Sequence, residues 1–244
     1  MNPPHSDPFY VGYAPKAPPA VARFLRIRVG IVLGVGLALA LAAALWHPAP
    51  APASFEYGVV REFTGVLRLH PYPLLTVSTE GAPVGHLLVG ETKHGADSLV
   101  QGLDGHRVQL AGRLVYRGEY RMIEVHGRPT DLGVDPPLAG TEPTQSRDQM
   151  GEVVDSKCHL GAMNPGDGPT HRLCAIRCLR GGVPPLLAWS GADGRDQVAL
   201  LTNQDGTRWT PTAALPIGEP VRVIGQGESA GGWLVIRATS GRVR

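Results

Sequence analysis

The chain has 244 residues, 43% of them hydrophobic and 18% charged, which is enough for one large or two small globular domains. Its formal net charge of +2 and its aromatic content of 6% do not form the basic, aromatic-rich footprint of a nucleic-acid-binding protein. The 32 glycines and 23 prolines predict many turns and short elements.

The first 48 residues predict a disordered tail followed by a membrane anchor. Residues 1–22 are proline-rich and have no hydrophobic periodicity, so we expect a disordered tail on the cytoplasmic side. The run Val29–Trp46 contains eighteen uncharged residues, a length that can cross a bilayer. We therefore place a transmembrane anchor at residues 23–48.

The residues that flank this apolar run predict its orientation. Arg23, Arg26 and Arg28 should keep the N-terminal side in the cytoplasm. The chain after the anchor would then lie in the periplasm, held by a single pass through a bacterial inner membrane. Residues 51–53 imitate a signal-peptidase site, but the Pro/Ala spacer at 49–54 and the length of the apolar run favour an uncleaved signal-anchor.

Two β domains are predicted beyond the spacer. Residues 55–133 consist of short alternating strands and end in a clear hairpin with its turn at Arg117-Gly118, which predicts a small OB-like β-barrel. Residues 134–149 are rich in proline and polar residues and predict a linker. Residues 150–244 then form the second domain, which contains all the cysteines.

The last hairpin of the chain repeats the hairpin of the first domain 113 positions further along. The pattern G-x-x-V-x-[LV]-x-G, followed by a glycine turn and an apolar strand, is typical of the late strands of OB-like barrels. The six gapless matches are Gly105, Val108, Leu110, Gly112, Gly118 and Ile123 onto Gly218, Val221, Val223, Gly225, Gly231 and Ile236. The sequence therefore predicts an all-β fold of two tandem OB-like barrels after one transmembrane helix.

The second barrel is predicted to carry a short inserted helix with a cysteine and histidine face. Thr170 can cap a helix that begins at His171. On this helix His171, Cys174 and Cys178 are spaced i, i+3 and i+7, so they share one face. Cys158 lies upstream, across a Gly/Pro-rich loop long enough to fold back over that face.

Three interpretations of these residues stay open. Cys158, His171, Cys174 and Cys178 can form a tetrahedral metal site, and Met163 would make the set soft enough for copper as well as zinc. Alternatively, Cys158 forms a disulfide with one helix cysteine, and the other is a small buried hydrophobic residue. The third interpretation is a redox-active thiol pair, Cys174 and Cys178.

The stretch also resembles a family of bacterial membrane-anchored proteins without an assigned activity. These proteins carry the pattern D-x-K-C-x-x-G-x-M-x-P-G-x-G-x-x-H-x-x-C-A-x-x-C-x-x-G-G-x-P-P, which is matched here from Asp155 to Pro185. The match covers about one eighth of the chain and implies a membrane-anchored protein, but no reaction. A looser resemblance is to copper-delivery proteins that use Cys-x3-Cys, from which this chain departs because no histidine follows Cys178 and Met163 lies upstream.

The function expected from the sequence is that of an accessory protein. The chain has no G-x-S-x-G, H-E-x-x-H or phosphate-cradling motif, so we favour a non-enzymatic role. We expect a membrane-anchored periplasmic metal-binding protein that holds one zinc or copper ion. A disulfide-stabilised interaction subunit of a membrane protein complex, without metal, and a thiol redox protein are the alternatives. No nucleic-acid partner is expected.

Overall fold

A computed structural model of the chain describes residues 16–46, 52–78, 83–135, 145–209 and 217–243. The chain divides into two compact units, residues 1–49 and 50–244. Parts of each predicted segment lie outside the described residues: 1–15 of the tail, 47–48 of the anchor, 49–51 of the spacer, 79–82 of the first β domain, 136–144 of the linker, and 210–216 and 244 of the second β domain.

The first unit contains one long helix, α1, over Pro19–Trp46. It has 28 residues and its most apolar stretch has a mean hydropathy of 2.4, so it is long and apolar enough to span a membrane. This agrees with the predicted anchor at 23–48, although the helix begins four residues earlier.

The second unit is built mainly of strands. In its first half the elements are β1 (Ala53–Phe55), β2 (Arg61–Arg68), β3 (Leu74–Val77), β4 (Val84–Val89), α2 (Asp97–Val100), β5 (His106–Arg117) and β6 (Tyr120–Val134). In its second half they are β7 (Gln145–Asp155), a helical turn (Cys158–Ala162), α3 (Gly168–Arg180), β8 (Pro185–Ser190), β9 (Asp196–Asn203), β10 (Pro220–Ala230) and β11 (Trp233–Val243).

The strands close into two five-stranded barrels of the same connectivity. In the first, β2, β3, β4, β6 and β5 pair in that order and β5 returns to β2, while β1 adds an outer strand to β5. In the second, β7, β8, β9, β11 and β10 follow the same path. In each barrel only one pair of strands is parallel, namely the third and fifth strands in chain order: β4 with β6, and β9 with β11. This confirms the predicted pair of OB-like barrels.

The predicted repeat is visible in the backbone. Strand β10 follows β5 at the predicted offset, and the turns between the last two strands use Gly118 at φ 56° and Gly231 at φ 57°. Gly112 and Gly225 occupy equivalent places, where a Cβ atom would collide with a carbonyl of the neighbouring strand. Glycine is needed at these four positions because each requires a positive φ or a close backbone approach.

The cysteine-bearing insertion lies between the first and second strands of the second barrel. The turn Cys158–Ala162 and helix α3 connect β7 to β8, whereas the equivalent connection in the first barrel, residues 69–73, is short. This is the position predicted for the inserted helix.

The two barrels share a hydrophobic core. One cluster combines buried residues of the first barrel, such as Leu87 and Met122, with buried residues of the second, such as Leu186 and Trp233. Hydrogen bonds cross the same boundary, since the indole nitrogen of Trp233 donates to the carbonyl of Gly85 over 3.0 Å. The predicted linker therefore separates the barrels along the chain but not in their packing, and its last residues, 145–149, already belong to β7.

Candidate metal centre

Helix α3 presents the face that the sequence predicted, but it begins earlier. Its first residues are Gly168 and Pro169, and proline is favoured in a first turn because it has no amide hydrogen to leave unpaired. Thr170 therefore lies inside the helix, and its predicted role as the cap is wrong. The helix ends at Arg180, where the amide of Gly181 donates to the carbonyl of Arg177.

The Gly/Pro-rich loop returns Cys158 to this helix, as predicted. The Sγ atoms of Cys158 and Cys174 are 3.9 Å apart, and all three cysteines are free thiols. The amide of Cys158 donates to Oδ1 of Asp155 over 2.9 Å, which fixes the start of the turn. Gly161 packs against the backbone of Ser54 in β1 and leaves no room for a side chain there.

A buried carboxylate holds His171 beside the same cysteines. Its Nε2 lies 3.0 Å from Oδ2 of Asp155, which is completely buried. Cys158, His171 and Cys174 each bring a ligand atom within 4.8 Å of the others, and so do Asp155, Cys158 and Cys178. The two groups overlap at Cys158, so a Cys/His/Asp set that can hold a metal ion is assembled here.

The first barrel supplies a cation that sequence reasoning missed. Nζ of Lys93 donates to Sγ of Cys174 over 2.8 Å and lies 3.8 Å from Sγ of Cys178. The hydrogen bond to Cys174 raises the pKa of Lys93, so the side chain is charged at neutral pH. Its loop docks on the end of α3, because the amide of Gly95 donates to the carbonyl of Gly181 over 2.9 Å.

Lys157, next to Cys158, holds that loop in place. Its buried ammonium pairs with Glu124 and donates to the carbonyls of Gly90 over 3.0 Å and Thr92 over 2.7 Å. A buried ammonium is tolerated when it is paired and hydrogen-bonded, as here. The contact fixes the backbone immediately before Lys93. A residue of the second barrel, Lys157, therefore positions the ammonium that the first barrel supplies.

The thiols are electrostatically unequal. The interaction with the Cys178 thiol raises the pKa of Cys158, and burial of Cys158 raises it further. The same interaction lowers the pKa of Cys178, and the positive charge of Lys93 contributes in the same direction. Cys178 is therefore the thiol that ionises before Cys158, with the ammonium of Lys93 to balance it.

The remaining residues of the predicted region lie outside this group. Met163 follows the turn and has 48% of its surface exposed. His159 is buried, but it lies beside Asp167 and Glu152, in a different cleft. Among the predicted ligands, His171 meets Cys158 and Cys174, and Cys178 meets Cys158 and Asp155, whereas Met163 is on the surface.

Comparison of the chain with protein-family models, curated proteins and solved structures found no match in any of the three. Four soft or borderline ligands, a buried carboxylate and one ammonium can bind a thiophilic cation, form a disulfide or supply a thiolate nucleophile.

Proposed function

We propose that this chain is a membrane-anchored metal-binding accessory protein whose second barrel holds one zinc ion. The ligands are Cys158, Cys174, Cys178 and His171. A single observation carries the proposal, namely that two cysteines and a histidine from separate segments bring their ligand atoms within 4.8 Å of one another.

The distance between the sulfur atoms supports a tetrahedral site. A zinc–sulfur bond of about 2.3 Å in a tetrahedron implies a separation of about 3.8 Å between two sulfur ligands. The Sγ atoms of Cys158 and Cys174 are 3.9 Å apart. A disulfide would require these atoms at about 2.05 Å, so forming one would need the side chains to move.

The charges around the sulfurs also suit zinc. Three thiolates around Zn²⁺ leave one negative charge on the ion and its ligands, which the ammonium of Lys93 offsets at 2.8 Å from Cys174. The carboxylate of Asp155 adds a further negative charge beside His171. Asp155, within hydrogen-bonding distance of His171, supplies the carboxylate partner that orients a ligating imidazole in many zinc sites. Met163 is at the surface, so the remaining ligands are a Cys₃His set of the kind found in structural zinc sites.

A closed site with four protein ligands favours a structural role over catalysis. The ion would stabilise the insertion and the contact between the barrels, because Lys93 comes from the first barrel. Together with helix α1, this supports an accessory subunit at a bacterial inner membrane with its barrels in the periplasm, where it would serve a membrane protein complex.

One observation favours the thiol redox alternative. Lys93 lies beside two cysteines, and the pKa of Cys178 is lowered, both of which activate a thiol. A redox pair must have an ionised thiol without metal, whereas a zinc site must have all three thiols occupied. The two functions therefore differ in zinc content and in the reactivity of the thiols.

The test is zinc release during thiol titration of the full-length chain, purified in detergent without chelator. We expect one zinc ion to be released as three thiols react, and release to be lost in Cys158→Ser, Cys174→Ser and Cys178→Ser alike. His171→Ala should weaken binding, and His126→Gln, an exposed control on the first barrel, should not.

Other outcomes identify the alternatives. Copper in place of zinc would change the role to metal handling. A metal-free protein with one reactive thiol, in which two cysteine substitutions are costly and the third is silent, would replace this proposal with the disulfide. A metal-free protein with three thiols, one of them reactive at neutral pH, would favour the redox function.

A further inference from the structure

His159 is a buried imidazole without a hydrogen-bond partner. Only 4% of the residue is exposed, and neither ring nitrogen is hydrogen-bonded to any residue that the structure describes. Its nearest charged neighbour is Asp167, whose Oδ2 lies 3.4 Å from Nδ1. Buried polar atoms are nearly always hydrogen-bonded. Among the described residues this imidazole has only the ion-pair contact with Asp167, and its Nε2 has no partner, which requires an explanation.

The imidazole lines a cleft of about 150 Å³ that is rich in carboxylates. Glu152, Asp167 and Asp196 line the same cleft. One oxygen of Glu152 accepts the amide of Gly168 over 2.6 Å, which fixes this carboxylate at the start of α3. The cleft therefore combines one nitrogen ligand with several oxygen ligands.

Among the described residues, one guanidinium faces the three carboxylates of the cleft. Arg117 pairs with Asp196 over 3.0 Å and donates to the carbonyl of His159 over 2.7 Å, so its guanidinium compensates one carboxylate. With His159 neutral, three carboxylates and one guanidinium leave two negative charges, those of Glu152 and Asp167, and burial raises the pKa of Glu152. A doubly charged cation would neutralise them.

We propose that this cleft is a second metal site, which binds a divalent transition-metal ion through His159, Glu152 and Asp167. Imidazole and carboxylate ligands suit ions such as Mn²⁺, whereas thiolates select softer ions. The site contains no sulfur ligand, although His159 directly follows Cys158 in the chain. Glu152 is already fixed by the amide of Gly168, so Asp167, with 45% of its side chain exposed, is the carboxylate that must move onto the ion.

The test uses Mn²⁺ as the probe, because the thiolate set of the other site does not favour this ion. The full-length chain in detergent is titrated with Mn²⁺, and the loss of the spectrum of the free ion is followed by electron paramagnetic resonance. We expect one Mn²⁺ per chain, and at least a tenfold loss of affinity in His159→Gln and in Asp167→Asn.

The matched control is His126→Gln. His126 also lies beside a carboxylate, with its Nδ1 2.9 Å from Glu91, but both residues are exposed and belong to the first barrel. We expect this variant to bind Mn²⁺ as the wild type does. The proposal is overturned if the wild type binds no Mn²⁺, or if binding survives both substitutions in the cleft. It is also overturned if His126→Gln loses as much affinity as they do. Asp167→Asn, on a partly exposed side chain, decides the matter if His159→Gln does not fold.

Discussion

The ammonium of Lys93 lies 2.8 Å from the Sγ atom of Cys174, and the two residues belong to different barrels. The contact places a positive charge of the first barrel on the sulfur cluster of the second. The loop that carries Lys93 is also held by Lys157 and docks on the end of α3. The chemistry of the cysteines is therefore a property of the paired barrels.

Lys93→Met should weaken zinc binding. A hydrogen bond that involves a charged group contributes about 1.5–3 kcal/mol, so its loss should lower the affinity by at least about tenfold. The measurement is competition for zinc against a chromogenic chelator. Arg180→Met is the matched control, because it removes an exposed positive charge from the last turn of the same helix. Equal affinities in the wild type and Lys93→Met would contradict the charge-balancing role of Lys93.

Removal of zinc should destabilise residues 50–244. A ligand present at about 1,000 times its dissociation constant stabilises the folded state by about 4 kcal/mol, and a chelator in excess removes this contribution. Urea unfolding with and without chelator measures the difference. In Cys174→Ser the two curves should coincide, because that variant has no zinc to lose. If the unfolding free energy of the wild type is the same with and without chelator, the site holds no metal.

Tyr72→Phe should destabilise the contact between the barrels. The buried hydroxyl of Tyr72 donates to the carbonyl of Leu201 over 2.6 Å and accepts the amide of Trp209 over 3.0 Å. Burial raises the pKa of this phenol, so it stays neutral and both bonds persist at physiological pH. Loss of the hydroxyl leaves a buried carbonyl without its partner, at a cost of about 1–3 kcal/mol.

Urea unfolding of residues 50–244 tests this, with Tyr57→Phe as the control, since Tyr57 is 80% exposed. Because the barrels share a core, we expect one cooperative transition that shifts in Tyr72→Phe and is unchanged in Tyr57→Phe. Two separate transitions, with Tyr72→Phe silent in both, would show that the barrels unfold independently.

The barrels could be predicted because their signals are local. Gly118 and Gly231 mark turns that need a positive φ, and the apolar residues alternate along the strands on either side of them. The match at a constant offset then identified the second hairpin as a repeat of the first. Packing of one barrel against the other leaves no such periodic pattern, so the shared core was not predicted.

The same distinction holds at the site. Helical spacing was sufficient to place His171, Cys174 and Cys178 on one face, which is buried at His171 and Cys178 and half-buried at Cys174. Lys93 was missed because its contact with Cys174 spans 81 positions and depends on how the barrels dock. A signal was present, since the chain has only three lysines, and Lys93 and Lys157 both lie at the cluster. Thr170 was wrongly assigned as the cap because Gly168 and Pro169 already begin the helix.

The orientation of helix α1 gives the last prediction. Arg23, Arg26 and Arg28 precede the apolar run, and positive charge is retained on the cytoplasmic side of bacterial inner membranes. An alkaline-phosphatase reporter, which is active only outside the cytoplasm, should therefore be active when fused after residue 244. The same reporter fused after residue 28, before the apolar run, should be inactive, and a fluorescent reporter should show the reverse pattern.

Replacement of the three arginines by glutamine, together with three arginines inserted after Trp46, should reverse or weaken this topology. The active fusion would then lose its phosphatase activity without loss of the fusion protein from the membrane fraction. If the reporter after residue 244 is inactive in the unmodified chain, the barrels lie in the cytoplasm. The thiols would then be in a reducing compartment, which would eliminate the disulfide alternative and leave zinc release as the deciding measurement.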